Sequence, residues 1–203
     1  MKLVIGIAGL PLAGKETVAN RLEQLFRVDN ITVSRHRFSD VLRDTLDLWG
    51  MPHGRGNEQI LAQIMQLPGI GFPEGVLSRA VKNRVSKDTA DVGILDGVRW
   101  KVDEDMIREF PADGGGIRSI IIYVAASDDT RFARLTARNR SGEAATTRAQ
   151  FDELNRQPNE ITIPEIGARA DIQLANDYSN IADFEKDVDA AYAAKIKPLL
   201  ANA

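Results

Sequence analysis

The chain has 203 residues and a formal net charge of −3, and 43% of its residues are hydrophobic. Such a chain suits one α/β domain with a substantial core, and its composition excludes a disordered protein. The charge provides no broad basic surface, so we expect no nucleic-acid partner. The sequence has no cysteine, which excludes disulfides and thiolate metal sites. No segment approaches a membrane span and the first apolar run is too short for an export signal, so we expect no membrane partner and a cytoplasmic location.

An apolar run over residues 3–8 predicts the first strand, and a glycine-bounded loop follows it. A strand, such a loop and a helix start form a phosphate-binding site: backbone N–H groups curve around an anion, and the helix dipole adds positive potential. Lys15 supplies a full charge near the β- and γ-phosphates. We therefore predict that the loop binds a nucleotide through Gly9, Leu12, Ala13, Gly14, Lys15, Glu16 and Thr17.

The loop departs from the strict pattern at one position. Glu16 stands where serine or threonine ordinarily follows the lysine, and Thr17 comes one residue later. A hydroxyl bound to Mg²⁺ from the usual position is therefore missing. Thr17 is the candidate for contacting a phosphate oxygen or the magnesium shell.

A second strand is predicted over residues 31–34, which are rich in β-branched side chains. A helix follows, and Ser39 or Asp40 is a suitable N-cap for it, so a structural role competes with a chemical one for Asp40. The chain then continues to about residue 88 as helices separated by glycine- and proline-containing breaks. This pattern suits a substrate-covering insert on a rigid sheet.

The third strand is predicted over 92–96 and ends on Asp96, with Gly97-Val98-Arg99 after it. In open α/β sheets ligands bind at the carboxyl ends of strands, so Asp96 lies beside the phosphate loop if this strand neighbours the first. A carboxylate at that place can hold Mg²⁺ through water. The alternative interpretation is a simple Asp-Gly turn.

A fourth strand over 119–124 leads to a helix on which Arg131, Arg134 and Arg138 share one stripe. Like charges on one face repel unless something anionic meets them, so we expect Arg134 or Arg138 to contact phosphate. The alternative is a solvated face paired with acids elsewhere.

A fifth strand is predicted over 171–176, ending on Asn176. The alternation of strands and helices along the chain predicts an α/β fold, a mostly parallel five-stranded sheet with helices on both faces.

Together these segments resemble P-loop nucleotide kinases of the adenylate kinase and dephospho-coenzyme A kinase type, over nearly the whole chain. The loop is similar to that of adenylate kinases, where threonine likewise comes two places after lysine, and it also looks like the loop of deoxynucleoside monophosphate kinases. Two further segments resemble the monophosphate-binding segment and the Leu-Asp-Gly-Phe-Pro-Arg segment of adenylate kinases: Ser39-Asp40-Val41-Leu42-Arg43 and Ile94-Leu95-Asp96-Gly97-Val98-Arg99, the latter one residue shorter before its arginine. Leu12 replaces a glycine common in adenylate kinases, which predicts a stiffer loop.

The resemblance implies a single P-loop kinase domain over 1–203, a three-layer sandwich with an acceptor-binding insert at about 38–88 and a short lid at about 138–158. It implies that Arg43 and Arg99 hold the acceptor. It also implies that Arg134 and Arg138 close over the transferring group and that the loop following Asn176 borders the adenine.

These assignments predict an ATP- and Mg²⁺-dependent kinase whose small-molecule acceptor is a nucleoside or deoxynucleoside monophosphate, with Lys15 and Asp96 as catalytic residues. One alternative is transfer to a hydroxyl, as in dephospho-coenzyme A kinase, with Asp40 as the base. Another is a nucleotide-dependent switch or binding module without transfer to a small molecule. A monomer or homodimer is expected.

Overall fold

The computed structural model describes residues 1–66, 75–110, 116–138 and 145–201, and strands and helices alternate along it. The strands are β1 (Leu3–Ala8), β2 (Val33–Arg37), β3 (Val92–Val98), β4 (Arg118–Ala125) and β5 (Ile172–Ala175). The helices are α1 (Lys15–Val28), α2 (Phe38–Leu48), α3 (Arg55–Gln66), α4 (Val76–Val85), α5 (Lys101–Glu109), α6 (Asp128–Ala137), α7 (Arg148–Asn155), α8 (Pro158–Ile161), α9 (Ile163–Ala168), α10 (Ile181–Ala191) and α11 (Lys197–Ala201). A π-helical turn, Tyr192–Ile196, joins α10 to α11.

The strands form one five-stranded parallel sheet in the order β2-β3-β1-β4-β5, which confirms the predicted α/β fold. β1 is central, and all six of its residues are buried. Its neighbour β3 places Asp96 opposite Ile7, one residue before the end of β1. The condition for Asp96 to lie beside the phosphate loop is therefore met.

Side chains of β1 alternate between the two faces of the sheet, and each face carries a helical layer. Leu3, Ile5 and Ile7 pack in one cluster with α1 and α10. Val4 and Ala8 pack in a second cluster with α2, α4 and α5. Because successive strand residues point to opposite faces, one short apolar strand anchors both layers. The result is a three-layer sandwich.

The second strand differs from the prediction, since it runs to Arg37 rather than ending at Ser34. β2 lies at the edge of the described sheet, where β3 is its neighbour. Its two arginines point to one face and are neutralised there: Arg35 donates to Asp96 at 2.5 Å, and Arg37 donates to Glu16 at 3.0 Å. These ion pairs join residues that are far apart in the sequence, and they allow charged residues to remain in the strand. No local sequence pattern predicts them.

The third strand also continues past its predicted end. β1 pairs Ile7 with Asp96 but Ala8 with Val98, so Gly97 is an extra residue in β3. Gly97 has a φ of +97°, which residues with a β-carbon rarely adopt. A bulge of this kind re-aims the side chains around it. The Asp-Gly pair is thus a strand bulge, not a terminating turn.

Between β2 and β3, the helices α2, α3 and α4 occupy the place of the predicted insert. Of the predicted lid at about 138–158, residues 139–144 lie outside the described residues, and the described remainder consists mainly of α7 and reaches only the first residue of α8. Within the described ranges, no helix combines the length and the apolar character that crossing a membrane requires.

Candidate active site

The phosphate loop has the backbone conformation that its glycines predict. Gly9 and Gly14 have φ values of +153° and +107°. A β-carbon on Gly14 would lie 2.1 Å from Nδ2 of Asn176, and one on Gly9 would lie 2.6 Å from the carbonyl oxygen of Val124. Both distances are shorter than real contacts, so the loop can follow this path only with glycine at these positions.

Leu12 adopts the left-handed conformation, with a φ of +67°, where adenylate kinases commonly have glycine. A leucine in this region costs about 1–2 kcal/mol. Replacing it with glycine removes that strain. The substitution also increases the conformational entropy of the unfolded chain, which lowers the free energy of unfolding by about 0.5–1 kcal/mol.

We expect Leu12→Gly to stabilise the protein slightly, because strain relief exceeds the entropic loss, and to raise Tm by about 2 °C. Thermal melting measures this. Leu10→Gly is the matched control in the same loop: the φ of Leu10 is not positive, so this change should lower Tm. A lower Tm for Leu12→Gly would show that its side-chain packing outweighs the strain.

The ammonium of Lys15 turns into the loop. Its Nζ donates to the carbonyl oxygens of Gly9 and Leu10, at 2.7 and 3.1 Å. Burial and the nearby Arg99 guanidinium lower the pKa of Lys15 from 10.5 to about 8. Among the described residues no carboxylate lies within ion-pair distance of this Nζ, so a phosphate oxygen can take the place of a carbonyl as its partner. This geometry fits a nucleotide polyphosphate.

ATP binding is expected to take up protons at pH 8. An anion stabilises the charged ammonium and so raises the pKa of Lys15, which is lowered to about 8 in the free protein. Uptake should be about half a proton at pH 8 and close to zero at pH 6.5, and ATP affinity should fall above pH 8. Titration calorimetry in buffers of different ionisation enthalpy measures the number of protons taken up. Equal uptake by a Lys15→Met variant would assign the proton to another group.

A cavity of about 210 Å³ opens between the phosphate loop and the helical insert. Lys15 lies at its loop end, and Leu42, Leu77 and Trp100 form an apolar part of its wall. The described charged residues that line the cavity are Lys15, Arg37, Arg99, Glu58, Asp96, Asp103 and Glu160. Such a cavity can hold a molecule that has an anionic end and a less polar body.

The backbone around Arg99 is held on both sides. Its amide donates to Oδ2 of Asp103 at 3.0 Å, and its carbonyl accepts from Oγ1 of Thr162 at 2.5 Å. Its guanidinium donates to Oε1 of Glu160 at 2.6 Å. Although the segment is one residue shorter than in adenylate kinases, Arg99 lies in the cavity that Lys15 and Asp96 also line.

Asp96 lines the cavity but is already paired. Its Oδ2 accepts from Arg35 at 2.5 Å and lies 3.7 Å from Nε of Arg37. Across the described ranges, no group of three or more acidic or histidine side chains is arranged around a metal site. At phosphate-binding sites Mg²⁺ usually keeps several waters and binds through one or two carboxylates and the phosphate oxygens, so a single carboxylate at this place fits it.

Two residues predicted to serve the acceptor lie outside this cavity's lining. Asp40 accepts from the backbone amide of Arg37 at 3.3 Å, from the third position of α2; the N-cap residue is Arg37, so the prediction of Ser39 or Asp40 as the N-cap was wrong. Arg43 donates to Glu58 at 2.9 Å, and Glu58 lines the cavity. Arg43 therefore positions Glu58 in this structure, and the cavity's guanidinium groups come from Arg37 and Arg99.

Arg134 differs most from its predicted place. It donates to the carbonyl oxygens of Leu12, at 3.1 Å, and of Asn176, at 3.0 Å. It lines a second cavity, of about 350 Å³, on the other side of the loop, which also includes Gly14, Thr17 and Asn176. Lys15 does not line this cavity, so Arg134 and Lys15 line different cavities of the structure.

Arg131, on the same helix, is fully buried and donates to the carbonyl oxygen of Pro11 at 3.3 Å. Its guanidinium also stacks over Phe151 at 5.1 Å from the ring centroid, which joins α6 to α7. Arg131 and Arg134 thus meet backbone carbonyls of the phosphate loop, and Arg131 also pairs with Asp128 at 2.6 Å. Arg138, the C-cap of α6, does not line either cavity.

Sequence reasoning missed several residues of the first cavity: Arg37, Glu58, Gln59, Asn159 and Glu160. Arg37 had a usable signal, since it is a cation at the carboxyl end of an edge strand beside the loop. The others come from α3 and α8, which no motif connects to the phosphate loop. Tertiary packing alone brings them to the cavity.

No protein-family model matches the chain. UPF0200 proteins are similar to it: one from Methanopyrus kandleri is 26% identical over 91% of this chain and 86% of the relative. One from Staphylothermus marinus is 28% identical over 70% of this chain and 68% of the relative.

Among solved structures, shikimate kinase from Bacteroides thetaiotaomicron has a TM-score of 0.61 at 13% identity, covering 94% of this chain and 97% of that one. The APS kinase from Mycobacterium tuberculosis has a TM-score of 0.53 at 17% identity, covering 95% and 98%. The chain therefore has the fold of the P-loop kinases.

Proposed function

We propose that the protein is an ATP- and Mg²⁺-dependent kinase that transfers the γ-phosphoryl group to a small phosphorylated acceptor, with nucleoside and deoxynucleoside monophosphates as the first candidates. The observation that carries this proposal is the first cavity, which is lined by Lys15 of the phosphate loop and by two arginines, Arg37 and Arg99. Phosphoryl transfer depends mainly on alignment and on charge stabilisation, so cations converging on one end of a cavity can supply much of the catalysis.

The nucleoside of ATP is assigned to the second cavity. That cavity adjoins Gly14 and Thr17, at the opposite side of the loop from the acceptor. Arg134 offers a planar guanidinium there, and Phe184 an aromatic surface, both suitable for stacking on a base. The Mycobacterium tuberculosis APS kinase was solved with AMPPNP and APS together, a precedent in this fold for two ligands bound at once.

The acceptor occupies the first cavity. Arg37 and Arg99 bind its phosphate, and the apolar wall of Leu42, Leu77 and Trp100 receives its base. In the reaction, an acceptor phosphate oxygen forms a bond to the γ-phosphorus, and the bond to the β,γ-bridging oxygen breaks, releasing ADP. Lys15 stabilises the charge on the transferring group. Asp96 lines this cavity and would hold Mg²⁺ through water, and the ion would supply positive charge to the phosphate groups, whereas Thr17 lines the second cavity.

Transfer to a hydroxyl finds less support. The predicted base, Asp40, caps α2 and does not line the cavity, whereas a phosphate acceptor is already ionised and needs no base. The two guanidinium groups that line the cavity together with Lys15 favour an anionic acceptor. A cytoplasmic location and a monomeric or homodimeric state stay predictions.

The test is a screen with the whole chain: ATP and Mg²⁺ with each ribo- and deoxynucleoside monophosphate and with dephospho-coenzyme A, following ADP and the phosphorylated product separately. Product formation from a monophosphate supports the proposal. Product from dephospho-coenzyme A alone would favour the hydroxyl alternative. Slow hydrolysis with no phosphorylated product from any acceptor would favour a nucleotide-dependent switch.

A further inference from the structure

One carboxylate of the first cavity accepts hydrogen bonds through only one of its two oxygens, as far as the described residues show. Glu160 lies on α8 with 3% of its surface exposed, and it lines the cavity. Its Oε1 accepts two hydrogen bonds, from Arg99 at 2.6 Å and from Nδ2 of Asn159 at 2.9 Å. Within the described parts of the chain, its Oε2 is buried and has no hydrogen-bond partner.

The half-satisfied state of Glu160 is rigidly held. Asn159 is also buried, and its Oδ1 accepts from Nε2 of Gln59 at 3.3 Å, so α3, α8 and Arg99 are joined by one line of hydrogen bonds. This line occupies Oε1, and within the described residues no protein donor reaches Oε2. A buried carboxylate oxygen without a donor is unfavourable, and each such atom in a folded protein needs an explanation.

We propose that Oε2 of Glu160 selects the acceptor by accepting a hydrogen bond from a hydroxyl of its sugar, an inference that rests on the proposed function. The other oxygen of the same carboxylate bonds to Arg99, which binds the acceptor's phosphate in that proposal. Oε2 therefore lies next to the phosphate position. In a nucleoside monophosphate the donors closest to the phosphate are sugar hydroxyls, whereas the amino groups of the bases lie beyond the sugar.

The test compares three forms of the monophosphate that the screen selects: ribose, 2′-deoxyribose and 2′,3′-dideoxyribose. The protein is used unchanged, as Glu160→Gln and as Glu165→Gln. The glutamine keeps an oxygen for Arg99 and Asn159 but replaces Oε2 with an amino group. Glu165 is an exposed glutamate on the neighbouring α9 and provides the matched control for loss of one charge.

For the unchanged protein, kcat/KM should fall at least about tenfold when both hydroxyls are removed, because a hydrogen bond to a charged group is lost. For Glu160→Gln, kcat/KM on acceptors that carry a hydroxyl should be about tenfold lower than for the unchanged protein. Removing both hydroxyls from the acceptor should lower the kcat/KM of this variant further by less than about threefold. Its KM for ATP and its Tm should stay close to those of the unchanged protein. Glu165→Gln should behave as the unchanged protein does.

Other outcomes overturn the inference in distinguishable ways. If removing both hydroxyls lowered kcat/KM equally for the unchanged protein and for Glu160→Gln, the inference would be wrong, but the proposed kinase function would be unaffected. A lower Tm, with every acceptor affected alike, would show that Glu160 has a structural role only. If the unchanged protein phosphorylates no monophosphate, the proposed function fails and the inference fails with it.

Discussion

Replacing Lys15 with methionine is expected to lower kcat/KM for phosphoryl transfer by about 10³-fold, equivalent to about 4 kcal/mol of transition-state stabilisation. Its ammonium already lies inside the phosphate loop, and it also lines the cavity assigned to the acceptor. A cation placed beforehand at the transferring group stabilises the charge that spreads over its oxygens. Methionine keeps the length of the side chain but supplies no charge and no donor.

The fold should survive the Lys15→Met change. The carbonyl oxygens of Gly9 and Leu10 lose a donor, but the variant no longer buries an ammonium whose pKa is lowered to about 8. We therefore expect a change in Tm of less than about 5 °C. Lys87→Met, at an exposed lysine after α4, is the matched control and should retain full activity. Transfer by Lys15→Met within tenfold of the unchanged protein would exclude this site as the catalytic centre.

Replacing Arg99 with alanine is expected to raise KM for the acceptor about 100-fold and to leave KM for ATP nearly unchanged. Truncating one member of a buried charge pair typically costs 2–5 kcal/mol, about 30-fold or more in binding. Arg99 is directed at the acceptor cavity by contacts to its amide, its carbonyl and its guanidinium, so another side chain cannot readily replace it.

The same substitution also affects stability, because it leaves Glu160 as a buried carboxylate without its cation. We expect the free energy of unfolding to fall by about 2 kcal/mol, less than for a fully buried pair since the Arg99 side chain is 36% exposed. An Arg99→Met/Glu160→Met double variant removes both charges and should recover most of that stability while acceptor binding stays weak. Recovery of binding together with stability would mean that Arg99 acts only through the fold.

Much of the fold was predictable because its signals are local. The apolar β1, the glycines on either side of the loop and the apolar face of α1 each depend on neighbours within a few residues. The ends of β2 and β3 were not predictable. β2 extends through Arg35 and Arg37 because Asp96 and Glu16 pair with them, and β3 extends past Asp96 because Gly97 forms a bulge.

The candidate site likewise has one part that the sequence predicted and one part that depended on the tertiary structure. The sequence by itself determined the phosphate loop with Lys15 in it, because a strand, a loop and a helix in succession allow few other geometries. The position of Asp96 beside the loop depended on the pairing of β3 with β1, which the tertiary structure decided. Only the tertiary structure decided what the arginines and Glu160 do. Arg99 and Glu160 are 61 residues apart, and Arg134 reaches carbonyls about 120 residues earlier in the chain. A charged side chain takes its role from the partner that packing brings to it, and that partner is absent from its local sequence.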